Sequence, residues 1–279
     1  MKKTLFLIAV LLCAGASTAQ EIYAPAKKGV VLIYERTESD WKNREITFSG
    51  TTFRHTVTDV KEDGDNLLVT YLNETVFPGR RKEKVELSEK AVAVRRGDAV
   101  YVDLRDITYR ERQRLAEQNA AGVEAGGASS RPGSSGFNPM RNSGGIKLVD
   151  FGKDVYVSGE IGIPLDAQPG DTIPQTTLYL ERRAVVATKC DVETTNWKIE
   201  ALAEEVTVPA GTFPCIKLTC DVVYRFRGVA SLTNLGANKP SPHTFWYAKG
   251  IGLVKMESLR SDTDSSLDKT IELVEVRNL

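Results

Sequence analysis

The sequence predicts an all-β protein, a strongly curved antiparallel sheet or partly open β-barrel with one short surface helix. Three observations carry that expectation. Apolar residues recur at every second position through most of the chain, and Gly, Pro, Asn and Asp clusters punctuate the alternation at short intervals. The third is Glu204–Arg227, which reads as a hairpin by itself. Val206 and Val208 alternate with polar neighbours, and Pro209-Ala210-Gly211 suits a type I turn closed by a left-handed glycine. On the return strand Ile216, Leu218, Cys220, Val222, Tyr224 and Phe226 share one face. Lys217, Thr219, Asp221, Arg225 and Arg227 share the other, so one face is expected to be buried and the other wet.

At the N-terminus of the 279-residue chain, Lys2-Lys3, an apolar run from Leu5 to Ala14 and the small residues Ser17-Thr18-Ala19 before Gln20 read as a secretory leader over 1–19. The alternative is a lipoprotein anchored through Cys13, but Leu12 stands where a small residue is needed and the apolar run would continue past the cleavage site. About 260 residues then remain, enough to bury a substantial core. The formal net charge is zero, and loss of Lys2 and Lys3 shifts it to about −2, which gives no global reason to seek nucleic acid. No later stretch approaches the roughly 20 apolar residues of a membrane-spanning helix, so the mature chain is expected to be soluble.

Along the N-terminal half, 20–119, Gly29–Arg36 is a first strand, Glu45–Val60 a second carrying His55, and Leu67–Val76 a third after the Gly64-Asp65-Asn66 turn. Pro78-Gly79-Arg80-Arg81 turns the chain toward Glu83–Leu87. Val92-Ala93-Val94 and Ala99–Leu104 then form a hairpin about Gly97-Asp98. Thr108-Tyr109-Arg110-Glu111 fits a capping box, which predicts a short surface helix to Asn119. The 120–145 stretch, rich in Gly, Ser and Asn, has almost nothing to bury and reads as a disordered loop. The C-terminal half, 146–279, is expected to form one continuous domain with the first, two packed β subdomains being the alternative. Within it Leu178–Glu193 reads as a long strand, Asn196 as a turn, and Trp197–Val208 as the antiparallel return. Trp197 and Ile199 differ in parity from Leu202, Val206 and Val208, which predicts a β-bulge near Ala201. After a polar loop over Val229–Pro242, Thr244–Ala248, Gly252–Leu259 and Thr270–Val276 complete the meander.

The chemistry-bearing residues point away from catalysis. Cys190, Cys215 and Cys220 are an odd number for an exported chain. Cys215 and Cys220 have opposite parity on one strand and cannot bridge, and the expected hairpin order leaves Cys190 about 10 Å from Cys220, so buried free thiols are expected. His55 and His243 are far apart in sequence, and no nucleophile elbow, phosphate loop or zinc-type spacing occurs. The carboxylate pairs Asp103 with Asp106 and Glu204 with Glu205 read as solvated strand residues. No catalytic residue, metal ligand or cofactor is therefore predicted. In Phe245-Trp246-Tyr247 successive rings point to opposite faces, so at least one lies off the main core face. Trp246, Tyr247 and Trp197 are the candidate ligand-binding residues, with a second covering layer as the alternative.

Three segments occur together in an order that resembles a known family: Pro169-Gly170-Asp171-Thr172-Ile173-Pro174, Val208–Cys215 (VPAGTFPC) and Trp246–Lys255 (WYAKGIGLVK). They are similar to the TapB-like, domain-of-unknown-function family of secreted bacterial β proteins. Lys28-Gly29 before the strand with Tyr34, and Tyr101-Val102-Asp103, match in the same order. The resemblance covers most of the mature chain outside 120–145 and implies an exported, antiparallel β protein of the Gram-negative envelope, periplasmic or secreted. It implies no activity. The reading is a non-catalytic binding module for an apolar or amphipathic ligand, such as a lipid. The alternatives are a structural or interaction protein of the envelope and a carboxylate-dependent hydrolase of envelope glycans or lipids.

Overall fold

Alternation of apolar and polar residues commits each segment to a two-faced strand, and short turns commit each strand to pair with the next. The structure, a computed structural model, describes residues 22–39, 45–64, 66–77, 84–103, 155–158, 160–182, 188–227 and 239–279. The strands are β1 (Val31–Ser39), β2 (Glu45–Asp63), β3 (Asn66–Phe77), β4 (Lys84–Arg96), β5 (Ala99–Asp103), β6 (Val155–Ser158) and β7 (Glu160–Pro164). They continue as β8 (Thr176–Arg182), β9 (Thr188–Val208), β10 (Gly211–Arg227), β11 (Ser241–Ala248), β12 (Gly252–Leu259) and β13 (Leu267–Arg277). All pairings are antiparallel, and no helix occurs among the described residues. The helix expected over 108–119 and the loop over 120–145 lie outside them.

The sheet runs β6-β8-β9-β10-β11-β12-β13-β1-β2-β3-β4-β5-β7. Its two ends are one residue apart in sequence. β6 pairs with β8, from Val155↔Arg182 to Ser158↔Tyr179, and β7 pairs with β5, from Asp103↔Glu160 to Ala99↔Pro164. One nearly continuous strand thus hydrogen-bonds to both margins with different halves, and β13 pairs with β1 across the chain ends. The sheet is an up-and-down barrel brought close to closure by a stagger.

At this seam Gly162 stands opposite Tyr101, and a Cβ there would come within 3.0 Å of the tyrosine ring. The missing side chain lets the ring lie over β7, where Arg96 stacks on it at 3.6 Å and bonds to Glu160.

Several expectations are corrected. The two pieces expected at Glu83–Leu87 and Val92–Val94 are joined in one strand, β4, which begins at Lys84. The expected strand Leu178–Glu193 is split between β8 and β9, and β9 runs through Asn196 without turning. Asn196 takes φ +55° inside a register shift, so its left-handed tendency builds a bulge and not a hairpin. Cys190 consequently pairs with Phe226 on the strand adjoining β10, displaced along it from Cys220 by about six residues, roughly 20 Å. That separation is far too long for a disulfide. The bulge predicted near Ala201 is present as register shifts on both sides of Lys217↔Ala201, and Leu202 within it is exposed. The β9–β10 hairpin turns through Pro209-Ala210 with Gly211 at φ +140°, as its sequence requires.

The barrel has two unlike ends. Connections 64–65, 97–98, 165–175, 209–210 and 249–251 leave at one, here the turn end, and 40–44, 78–83, 104–154, 183–187, 228–240 and 260–266 leave at the other, the loop end. The turn end is covered. Ile22 and Ala24 are buried there, with Ile22 O accepting from Gly250 N at 2.7 Å, and the tip of the β9–β10 hairpin reaches β13 through Ala210 N to Leu273 O at 3.2 Å. The 165–175 connection folds back on β9, with Gly170 N donating to Ile199 O at 2.7 Å and Ile173 buried.

Candidate functional site

Inward-facing rows follow from the ladders, because paired residues share a face. One row reads Ile199, Leu218, Phe245, Met256, Ile271 and Arg36 across β9 to β1. All five apolar members are buried, and Arg36 is 2 % exposed. The next row toward the loop end reads Cys220, His243, Ser258 and Lys269 by register. His243, Ser258 and Lys269 are again buried. On β2 and β3 the inward residues His55, Tyr71 and Asn73 are only half-buried, His55 lying 5.1 Å from the Tyr34 ring. The interior is therefore apolar toward the turn end, polar toward the loop end, and most accessible along β2 and β3.

Within the polar zone, the buried charged side chains among the described residues are Arg36 and Lys269, and both engage neighbouring groups. His243 Nδ1 donates to Ser241 O at 2.8 Å. Ser258 Oγ, between His243 and Lys269 in the ladder, is buried without a hydrogen-bond partner. Arg260, just past β12, has Nε and Nη2 in the same condition. Metal-ligand groupings of three or more His, Cys, Asp or Glu are absent among the described residues.

The three residues singled out for ligand contact are divided by the fold. Trp197 and Tyr247 face inward on either side of Phe245, at ring distances of 5.6 and 6.2 Å, and both are packed in the core. Trp197 Nε1 donates to Thr194 Oγ1 at 2.9 Å, and Thr194 Oγ1 donates onward to Thr176 O at 2.9 Å.

Trp246 points outward. Lys217 and Lys255 cover its ring at 5.4 and 5.8 Å, and its Nε1 donates to Glu204 at 3.0 Å. The covering layer is thus made of lysine stems. Burial works against the charged form of Glu204, but the hydrogen bonds from Trp246 and Lys217 and the Lys217 charge outweigh it and hold the carboxyl below its usual range. Lys255 bonds in turn to Glu257 and Glu272, and Arg225 to Glu193. This outward face carries ion pairs where a lipid-facing barrel carries an apolar band. Sequence reasoning missed Arg36, Ser258 and Lys269, because strand parity read from one segment cannot say that charged or polar positions from three strands meet on one inner wall, and it missed Arg260 just past β12.

Cys215 and Cys220 are buried free thiols. Burial pushes the Cys215 thiol up to about 12, helped by the Glu204 charge, and pushes Cys220 well above its ordinary value, helped by Asp221. The thiolate is the reactive form, so both are held unreactive. In a leaderless chain carrying Cys190→Ser, Ellman's reagent is expected to label neither until the protein is denatured. Rapid labelling of the folded chain would restore thiol chemistry as a possibility.

Comparison with known proteins bears on the fold. The DUF3108-like family model, a domain of unknown function, matches residues 151–267, from the seam strand through β12. A candidate exported protein with a YmcC-like fold from Bacteroides fragilis superposes with a TM-score of 0.60 at 14 % identity, covering 92 % of this chain and 99 % of its own. A candidate lipoprotein from Parabacteroides distasonis gives 0.60 at 15 % identity, covering 92 % and 98 %. At such identities the likeness is one of fold. No curated protein matches the sequence.

Proposed function

We propose that the protein is a non-catalytic binding module of the bacterial cell envelope that holds an apolar or amphipathic ligand within the barrel. The observation that carries this reading is the axial division of the interior. An apolar zone closed at the turn end adjoins a polar zone at the loop end, and His55, Tyr71 and Asn73 leave the inner wall partly accessible along β2 and β3. Twelve strands, with β6 and β7 taken as one, enclose more width than the eight that side chains alone can fill. A ligand would lie along β2 and β3 and against the packed wall carrying Trp197 and Tyr247, while Trp246 supports the wall from outside.

Export to the envelope is supported by the leader-like residues 1–19, by the TapB-like turn motifs and by the exported and lipoprotein descriptions of the structural neighbours. The test is native mass spectrometry with lipid extraction on protein purified from its own cell envelope. The expected result is one reproducible apolar or amphipathic molecule per chain, displaced by a fluorescent apolar probe. A bare protein mass together with no probe binding would overturn the reading.

A further inference from the structure

The polar zone contains hydrogen-bonding atoms that the fold itself leaves unused. We propose that it binds an anionic head group, carboxylate or phosphate, on an amphiphile whose apolar body occupies the neighbouring zone, with Ser258 and Arg260 holding the head and Lys269 and Arg36 adding charge. This rests on the interior being the binding site and names the chemistry of what it takes.

Three observations converge on an anion. The only charged side chains buried among the described residues are cations, Arg36 and Lys269, each 2 % exposed. Ser258 Oγ stands directly opposite Lys269 in the ladder, buried and unpartnered. Arg260, two residues further in sequence and just past the end of β12, buries Nε and Nη2 without a hydrogen-bond partner as well, although its charge acts on the Asp264 carboxyl. Guanidinium and ammonium groups only donate, so what completes this set must accept, and a carboxylate or phosphate accepts several such bonds at once.

Glu38 stands opposite Lys269 on β1, and Lys269 and Arg36 already engage neighbours. The uncommitted donors are therefore Ser258 Oγ and Arg260 Nε and Nη2, with the two cations setting the field around them. An apolar body is implied by the adjoining row, in which Leu218, Phe245, Met256 and Ile271 leave a free inorganic ion nothing but hydrocarbon on that side. Entry is along β2 and β3, where the inner wall is accessible.

The experiment measures displacement of a fluorescent apolar probe from the leaderless protein by dodecanoate, dodecyl phosphate, dodecanol and inorganic phosphate. Dodecanoate or dodecyl phosphate is expected to bind about tenfold or more tightly than dodecanol, the factor one charge-assisted hydrogen bond supplies. The variants Ser258→Ala and Arg260→Met are each expected to shrink that ratio by several-fold, weakening the charged chains more than dodecanol. Arg260 lies past the end of its strand, and thermal melts verify that both variants remain folded. Equal affinity for the charged and neutral chains would overturn the anionic head and leave the interior binding site standing. Probe binding with no displacement by any dodecyl compound would overturn the amphiphile, and failure of the probe itself to bind would overturn the interior site and this inference together. Inorganic phosphate competing as well as dodecyl phosphate would also overturn the proposal, since the head alone would then suffice.

Discussion

Trp197→Ala is expected to lower the unfolding free energy by about 3–5 kcal/mol, the range for deleting a large buried aromatic side chain. The indole is 1 % exposed, packs on Phe245 at 5.6 Å and sits in the irregular part of β9 where Asn196 adopts φ +55°. Its removal leaves a cavity in the middle of the packed wall, and the bulge geometry prevents the neighbouring strand from sliding in to fill it. It also strips Thr194 Oγ1 of the donor that fixes it, although the bond onward to Thr176 O can persist. Urea denaturation followed by far-ultraviolet circular dichroism measures the loss. Leu202→Ala, at an exposed position in the same strand, serves as the comparison and should fall within about 0.5 kcal/mol of the parent. A loss at Trp197 no larger than that at Leu202 would show that the indole does not pack into the core.

Ile163→Asp is expected to be at least as damaging, and to act first at one place. Ile163 is 2 % exposed on β7 and stands opposite Val100, itself 1 % exposed, in the short ladder that joins the two margins of the sheet. A carboxylate there would be buried without a partner, which costs several kcal/mol whether it ionises or takes up a proton. The β5–β7 ladder has five pairs against fifteen for β9–β10, so the damage should open the seam before it melts the long β9–β10 pair. Hydrogen exchange is the measurement. Amides of Ala99–Asp103 and Glu160–Ile163 should lose protection in the variant while those of Leu218 and Phe245 keep theirs. Uniform loss across all strands would mean that the barrel has no separable seam.

Much of the architecture was legible because strand periodicity and turn residues are local properties. The β9–β10 hairpin, the Gly97-Asp98 turn and the bulge near Ala201 are each specified within about a dozen residues, and each occurs at its expected place. The errors arose where one local signal has two structural uses. Asn tolerates a left-handed backbone equally in a turn and in a bulge, and only the pairing of β8 with Thr188–Thr194 of β9 decides that Asn196 is the second. Closure was illegible for a different reason, since nothing within Val155–Pro164 says that its two halves pair with strands on opposite margins. The polar zone is illegible in the same sense. Arg36, His243, Ser258 and Lys269 come from four strands, and an isolated charged residue in an alternating segment is normally assigned to the wet face.

The pairing of β1 with β13 brings residues from the two ends of the chain side by side. Val31 stands opposite Arg277, Lys27 Nζ reaches Leu279 O at 3.0 Å, and Asn278 Nδ2 reaches Gly29 O at 3.1 Å. In an up-and-down closed sheet every strand has the same two kinds of neighbour, so the order of strands around the ring does not depend on where the ring is cut. A short peptide linking Asn278 to Gly29, with new termini placed within 104–154, would preserve each ladder while starting synthesis at the seam strand. The protein is in this respect a natural scaffold for circular permutation, in which the position of the break can be moved while the wall that carries the site is left intact.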